Sequence, residues 1–437
     1  MRFTSTDAVI IGPKRRTPLT LMVSALLFVL LNIPQLADAQ SLRTIPGRYV
    51  IVRTDLPADK ISQADVDGFD AAVPQWLDAW KLNPDAAANW RLTAYVMSDK
   101  AAMRRAGILP DTIPDFGHGY QQGKTAWVIA QSGDYYTRHL LLHEGVHGAA
   151  WAMFGGAGPP WFMEGNAEWL ATHRGVGTQL QIGVIPATEA EVPFWGRYAV
   201  IRDAAKNARV PSIESVMRYS NVAHRRVEPY AWSWAAVMLL YHHADTRQIF
   251  LDMPAQGQLP ATAFTRTLYT QLKNQWPQVR LRWSLLADEL DYGYDPVRSS
   301  IPLAKTLPPT LQSEAHVTRV AADRGWQSAG TLIPAGTTIQ ITAKGKYTLA
   351  DSPRPWTCYP DGVTIQYHRG MPLGKLVAAV VPVDPKTSRY APAVRWQAIG
   401  SEGQLQVREK SWLMLRINES SNQLFDNAGS LDVTIRQ

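Results

Sequence analysis

The spacing of apolar residues divides the chain into two parts with different periods. From residue 40 to about residue 300, apolar positions recur mostly every three or four residues, which is the period of an amphipathic helix. The stretch "VDGFDAAVPQWLDAW" carries such a stripe, although Pro74 within it is expected to kink or split the helix. The runs "YAWSWAAVMLLYHH" and "LRWSLLADELDYG" predict two more helices, of which the second is the last in this part.

The same part also contains two short runs that favour strands. "RYVIVRT" and "KTAWVIAQ" are rich in β-branched and aromatic residues and are bounded by turn residues. The first part of the chain is therefore predicted to be mainly helical with a small sheet.

The pattern changes beyond a stretch dotted with prolines at residues 301–316. There the runs "TTIQITAKGKYTL", "GKLVAAVVPV", "GQLQVREK", "SWLMLRIN" and "GSLDVTIRQ" alternate in polarity and are separated by Gly, Pro, Asp and Asn. Short strands at such intervals are typical of a β-sandwich. We therefore predict an α+β fold class, with a mainly helical domain at residues 40–300, a linker at 301–316, and an all-β sandwich of jelly-roll type at 317–437.

The amino terminus has the organisation of an export signal. "PKRR" supplies a positive region, "LTLMVSALLFVLL" an apolar core, and "LADAQ" a cleavage site of small residues that ends at Ala39. We predict cleavage of residues 1–39 and export to the periplasm, the cell surface or the medium. The apolar run is shorter than the about 20 residues that a membrane span needs, so no stable membrane insertion is expected, with an uncleaved anchor as the alternative.

Composition narrows the classes of function. The formal net charge is +7, but no block of Lys and Arg with interleaved aromatic residues occurs, so we expect no nucleic-acid partner. A hydrophobic content of 46% and a charged content of 19% indicate a folded globular protein. The single cysteine, Cys358, excludes an intrachain disulfide, so stability must come from apolar cores.

The stretch "HEGVHGAAWAMFGGAGPPWFMEGNAEW" at residues 143–169 carries the clearest chemistry. On a helix, His143 and His147 lie one turn apart on one face, where both imidazoles can bind one metal ion. Glu144 lies beside the first ligand, where its carboxylate can act on a water molecule as a general base. A helix with two buried, hydrogen-bonded histidines is the alternative interpretation of this motif taken alone.

The continuation of this stretch favours the metal site. A turn rich in Gly and Pro is followed by a second predicted helix that begins near Trp161 and carries Glu164 and Glu168 one turn apart. Glu164 can complete a three-ligand zinc site that keeps one open position. Glu168 can accept the other ring N–H of a ligand histidine and so fix its orientation.

Together these segments resemble the gluzincin metallopeptidases, in particular the bacterial peptidase MA-like group. In that group H-E-x-x-H is followed about twenty residues later by W-x-x-E-G-x-A-E, which "WFMEGNAE" matches position by position. The resemblance implies a zinc metallopeptidase with a peptide or protein substrate. It assigns Glu144 as general base, His143, His147 and Glu164 as zinc ligands, and Glu168 as the residue behind them.

The same resemblance implies two further parts of the site. One is an edge strand that binds the substrate backbone, for which "KTAWVIAQ" is the candidate, with an ordinary core strand as the alternative. The other is a residue that stabilises the oxyanion, for which Tyr230 is the candidate and His242 and His243 are the alternatives.

The second part of the chain resembles the galactose-binding-like β-sandwiches, especially the calcium-dependent bacterial lectin type. The likeness rests on "RGWQSAGTLIPAGTTIQITAKGKY", "WTCYPDGV" and "INESSNQLFDNAGSLDVTI". It implies a calcium ion held by Glu419, Asp426 and Asn427, and a glycan as a second partner. The first acidic ligand would be Glu where that lectin type has Asp, and turns rich in Asp and Asn also occur without any metal.

Two other functions stay open at the level of sequence. The first is a non-catalytic carbohydrate- or surface-binding protein with a structural or degenerate zinc site. Glu144 argues against it, because a purely structural site needs no general base. The second is a zinc hydrolase that acts on a non-peptide amide, which the sequence does not separate from a peptidase.

Overall fold

The structure, a computed structural model, describes residues 42–302, 304–352, 354–385 and 388–437. The predicted signal peptide, residues 1–39, lies outside the described residues. Within the described part, no helix has the length and apolar character that crossing a membrane requires. The helices are α1 Gln63–Ala79, α2 Lys100–Arg105, α3 Asp134–Phe154, α4 Pro160–Ala171, α5 Arg197–Lys206, α6 Ile213–Val216, α7 Val227–His242, α8 Ala244–Leu251, α9 Ala261–Leu272 and α10 Trp276–Glu289.

The strands fall into an amino-terminal and a carboxyl-terminal set. The first set is β1 Arg43–Pro46, β2 Val50–Thr54, β3 Leu92–Met97, β4 Gly119–Gln122, β5 Thr125–Ile129, β6 His173–Arg174 and β7 Gln181–Ile182. The second set is β8 His316–Ala321, β9 Gln327–Ile333, β10 Thr337–Lys344, β11 Tyr347–Thr348, β12 Thr357–Cys358, β13 Val363–His368, β14 Met371–Leu373, β15 Leu376–Pro382, β16 Gln397–Ala398, β17 Glu402–Val407, β18 Ser411–Ile417 and β19 Ala428–Arg436.

Helix α1 confirms the predicted apolar stripe. Val66, Phe69, Val73 and Trp76 are completely buried. Helix α1 is not split at Pro74, because it runs through this residue as a single element. The buried stripe on both sides of the proline holds the two halves of α1 against the same core, which offsets the missing backbone hydrogen bond.

The amino-terminal sheet has five strands in the order β1-β2-β3-β5-β4. Strands β2, β3 and β5 are parallel, whereas β4 is antiparallel to β5. The predicted strand "KTAWVIAQ" is β5, and it has a neighbour on each side. Its interpretation as an edge strand is therefore wrong, and the edge of the sheet next to β5 is the short strand β4.

Helices α3 and α4 fold back against each other through the Gly- and Pro-rich turn, as predicted. Helix α7 packs closely on α4 at Gly165. A Cβ atom at Gly165 would lie 2.9 Å from the carbonyl carbon of Ser233 and closer still to its oxygen, so only glycine permits this approach. The contact brings the start of α7 next to the paired helices.

The carboxyl-terminal strands confirm a β-rich second region. One sheet has the order β12-β11-β19-β10-β17, with β8 also paired to β19, and the other has the order β16-β15-β18-β9. Alternate side chains from both sheets meet in a common core, which includes Ile339, Ile341, Leu413 and Leu415. Cys358 is buried there, as expected for a small apolar residue.

The second of these sheets is buried on its outer face as well. Leu281 and Leu285 of α10 pack there against Trp326, Leu332 and Trp412. As a result every residue of β18 is buried. The predicted linker, residues 301–316, has no helix or strand in its described part except the beginning of β8. Residues Leu42–Gln437 form one compact unit in which α10 and the sandwich share a core.

Candidate metal centre

Helices α3 and α4 bring three ligand atoms to one point. His143 Nε2 lies 3.1 Å from His147 Nε2 and 3.1 Å from Glu164 Oε2, and His147 Nε2 lies 3.4 Å from the same oxygen. Zinc bonds of about 2.0–2.1 Å in a tetrahedron separate the ligand atoms by about 3.3 Å. These residues also form a group of buried donors that could hold a metal ion. Their residue types and separations fit zinc.

Glu164 is a carboxylate in this group and not a neutral acid. Burial acts to raise the pKa of Glu164, but His147 and hydrogen bonds from His143 and His147 outweigh it and hold that pKa well below its ordinary value. A charged oxygen beside two ring nitrogens is the arrangement that a divalent cation needs.

Glu144 lies in the wall of the same site and is only 6% exposed. Burial raises its pKa to about 8, since little surrounds the carboxyl group to stabilise its charge apart from His147. A carboxyl group with a raised pKa beside a metal site has the properties of a general base that also returns its proton.

Strand β4 passes directly beside Glu144. A Cβ atom at Gly119 would lie 3.0 Å from Cδ of Glu144 and closer still to Oε1, so a side chain at residue 119 would displace the carboxylate. The sheet edge and the candidate general base are thus in contact, and glycine makes that contact sterically feasible.

Glu168 lies behind His143, as predicted, and is 1% exposed. Its Oε1 atom is 3.5 Å from His143 Nδ1, and its Oε2 atom is 3.5 Å from His139 Nε2. Arg197 donates to both oxygens, from Nε to Oε2 at 2.9 Å and from Nη2 to Oε1 at 2.8 Å. Trp195 Nε1 donates to Oε2 at 3.1 Å. These contacts give Glu168 a fixed orientation.

Sequence reasoning missed Arg197 and Trp195. Burial acts to raise the pKa of Glu168, but Arg197 and then His139 hold it well below the ordinary value. Glu168, His139 and His143 also form a second group with metal-binding geometry. Arg197 occupies both oxygens of Glu168, so a cation is not needed there and the first group is the better metal site.

Tyr230 lies at the start of α7 with its ring centre 6.1 Å from that of His143. Burial raises the pKa of Tyr230, and the charges of Glu164 and Glu144 raise it further, so the phenol keeps its proton and can donate it in a hydrogen bond. The structure brings Tyr230 to the site.

His242 and His243, the alternative candidates for stabilising the oxyanion, make other contacts. His242 packs edge-on against Trp169 at 4.9 Å between ring centres, and His243 Nδ1 is 2.9 Å from the carbonyl oxygen of Leu239. His224, which sequence reasoning missed, packs edge-on against Tyr230 at 5.1 Å and has its Nε2 atom 3.2 Å from Ser233 Oγ. It belongs to no recognisable motif, so only the fold reveals it.

The three predicted calcium ligands lie in the loop before β19. Asn427 Nδ2 donates to Glu419 Oε2 at 2.6 Å, whereas Asn427 Oδ1 is buried and has no hydrogen-bond partner in the described part of the chain. Burial raises the pKa of Glu419 to about 7, and the charge of Asp426 contributes to the increase. The structure therefore brings these residues together.

Comparisons with known proteins add little to this description. No family model matches the sequence, and no curated protein matches it. Among solved structures, the chain is similar to one described as "EclA N-terminal domain; PllA-like lectin", at 19% identity and a TM-score of 0.20. The match covers 28% of this chain and 93% of that chain. At this identity and TM-score, the likeness carries no argument about function.

Proposed function

We propose that the protein is an exported zinc metallopeptidase with a carboxyl-terminal accessory binding region. The proposal rests above all on Glu144, a buried carboxyl group beside a three-ligand set on the same and the adjacent helix. A purely structural zinc site is usually closed by four protein ligands and has no use for such a group. The three ligands His143, His147 and Glu164 leave room for water and substrate.

A zinc ion bound by these residues would polarise the scissile carbonyl group and lower the pKa of a water molecule. Glu144 takes the proton from the attacking water and delivers it to the leaving amine. Tyr230, with its proton retained, donates a hydrogen bond to the oxygen on which negative charge develops. His224 packs against the ring of Tyr230 and limits its rotation.

The edge of the sheet supports a peptide as the substrate. Ile129 N–H donates to the carbonyl oxygen of His118 at 2.8 Å, which makes this a hydrogen-bonded pair of the β4–β5 ladder. Such pairs alternate along an antiparallel ladder, so the backbone groups of Gly119 and Gln121 point away from β5. An extended peptide can add to this edge with its backbone passing Glu144. A small non-peptide amide would gain nothing from it.

An assay on the mature protein, residues 40–437, tests the proposal. We expect cleavage of unstructured peptides that stops when a chelator removes the metal and returns when zinc is added. Cleavage of small amides but not of peptides would favour the non-peptide hydrolase. Bound zinc with no hydrolysis of either substrate would favour the non-catalytic alternative.

For the second region we propose a calcium ion at Glu419, Asp426 and Asn427, with a glycan as the partner. The specific support is the buried Asn427 Oδ1 atom, which faces no donor, next to two carboxyl groups. Oxygen atoms of carboxylates and side-chain amides are the ligands that calcium prefers.

A further inference from the structure

We propose that Arg197 is a positioning residue of the metal centre, which orients Glu168 and, through it, the ligand His143. The inference rests on the proposed zinc site and does not depend on the reaction that the site catalyses. Arg197 itself contacts none of the three metal ligands through a hydrogen bond. Its effect on the metal is therefore indirect.

The first observation is the way in which Arg197 meets Glu168. Arg197 is 4% exposed, and its guanidinium group donates to both carboxylate oxygens, at 2.8 and 2.9 Å. Gly196, with φ of 65°, separates Trp195 from Arg197, and both of these residues donate to Glu168. A bidentate guanidinium contact fixes both the position and the plane of a carboxylate.

The second observation concerns His143. Its Nε2 atom faces the other two ligands, so its Nδ1 atom must carry the ring proton when a metal is bound. Nδ1 is buried without a hydrogen-bond partner in the described residues, and Glu168 Oε1 at 3.5 Å is the acceptor that it faces. The plane that Arg197 imposes on Glu168 thus determines whether this acceptor stays in line with His143.

The third observation is the balance of buried charge. The centre contains three carboxyl groups, those of Glu144, Glu164 and Glu168, and each is at most 8% exposed. Arg197 supplies a buried positive charge directly beside one of them, because its guanidinium donates to both oxygens of Glu168. Without Arg197, a buried carboxylate would lie next to His143 with no compensating charge, which is strongly unfavourable. The guanidinium also lies 5.5 Å from the ring centre of Tyr230. Arg197 therefore contacts both Glu168 and the ring of Tyr230.

Zinc affinity of the apoprotein, measured by competition with a chelating indicator, tests this inference. Arg197→Met is expected to weaken zinc binding by about 10–100-fold, as for other losses behind a metal ligand. Arg197→Lys keeps the charge but not the bidentate contact and should lie between Arg197→Met and the wild type. Because Arg197 acts through Glu168, the Glu168→Ala/Arg197→Met double variant should bind zinc no more weakly than Glu168→Ala.

A matched control separates positioning from general stability. Arg282 of α10 is also buried and makes a bidentate contact, with Asp245, far from the metal ligands in sequence. Arg282→Met should lower the melting temperature and leave zinc affinity unchanged. Thermal melts of all the variants establish which of them are folded.

Several results would overturn the inference. These are a folded Arg197→Met or Arg197→Lys variant with wild-type zinc affinity, a double variant in which the two losses add, and failure of both Arg197 variants to fold. A wild-type protein that binds zinc but cleaves no peptide would refute the proposed function and leave the role of Arg197 intact.

Discussion

Two clusters of polar residues in this protein were expected to bind metals, and their side chains are arranged differently in the structure. In the helical region, His143, His147 and Glu164 turn their ligand atoms toward a single point. In the sandwich, Asn427 donates an N–H to Glu419, so one expected ligand is already the partner of another. Helices with residues one turn apart hold side chains in a shared direction, whereas a loop leaves them free to pair among themselves.

The largest effect is expected from removing a ligand of the helical metal site. His147→Ala removes one of three ligands, so the mature protein should fall from about one zinc per chain to almost none. Metal analysis of the purified protein measures this. His316→Ala, a histidine of β8 in the sandwich, is the matched control and should keep its zinc. Unchanged zinc in His147→Ala would refute the site.

The next largest effect should separate metal binding from chemistry. Glu144→Gln removes the general base and no ligand, so zinc content should be retained while hydrolysis falls by at least about a hundredfold. Parallel measurements of zinc content and of kcat/KM on one peptide substrate check this. Near-normal hydrolysis by the zinc-loaded variant would show that another group accepts the proton.

A third change tests the contact between the sheet edge and the base. Gly119→Ala would displace the Glu144 carboxylate, because the added Cβ atom overlaps it. A displacement of this kind costs about 10–100-fold in rate, so hydrolysis should fall while zinc content stays the same. Gly117→Ala is the control, since a Cβ atom there meets nothing within 4 Å. Equal activity of the two variants would argue against a role for this contact.

The parts of the helical site that could be predicted are those encoded by local spacing. His143 with His147, and Glu164 with Glu168, are one turn apart on their helices, so a single sequence reveals that each pair shares a face. Arg197 lies 29 residues after Glu168 in the sequence, and no periodic signal marks such a contact. Tertiary structure alone places it.

The sheet shows a second limit of sequence patterns. Strand β4, "GYQQ", is too short and too polar to stand out, so the edge role that the resemblance implies was assigned to β5, the recognisable strand before the H-E-x-x-H motif. In the sandwich, strands β10 and β17 alternate between buried and exposed positions as predicted, whereas β18 is buried on both faces. The four consecutive apolar residues Trp412–Leu415 within β18 are the sign of a covering layer, which α10 provides.

The smallest effect is expected in the sandwich, and it sharpens the comparison of the two clusters. If Glu419, Asp426 and Asn427 bind calcium, the melting temperature of the zinc-loaded protein should rise with added Ca²⁺. A ligand that binds only the folded state stabilises it by about 2.7 kcal/mol at a concentration 100-fold above Kd. The full mature chain is the right sample, because α10 covers the outer face of the sheet and a fragment without α10 would expose Trp326 and Trp412. Loading with zinc beforehand keeps calcium from acting at the helical site.

Asp426→Ala should abolish this rise, whereas Asp432→Ala should not. Asp432 lies on β19 in the same region and makes a surface ion pair with Arg319, so it controls for the loss of one negative charge. A rise that persists in Asp426→Ala would place the calcium ion elsewhere. A wild-type protein that melts at the same temperature with and without Ca²⁺ would refute the calcium site and leave Asn427 paired with Glu419 alone. The two clusters would then differ in kind, because the helical ligands converge on a point that fits a metal ion, whereas two of the loop residues are hydrogen-bonded to each other.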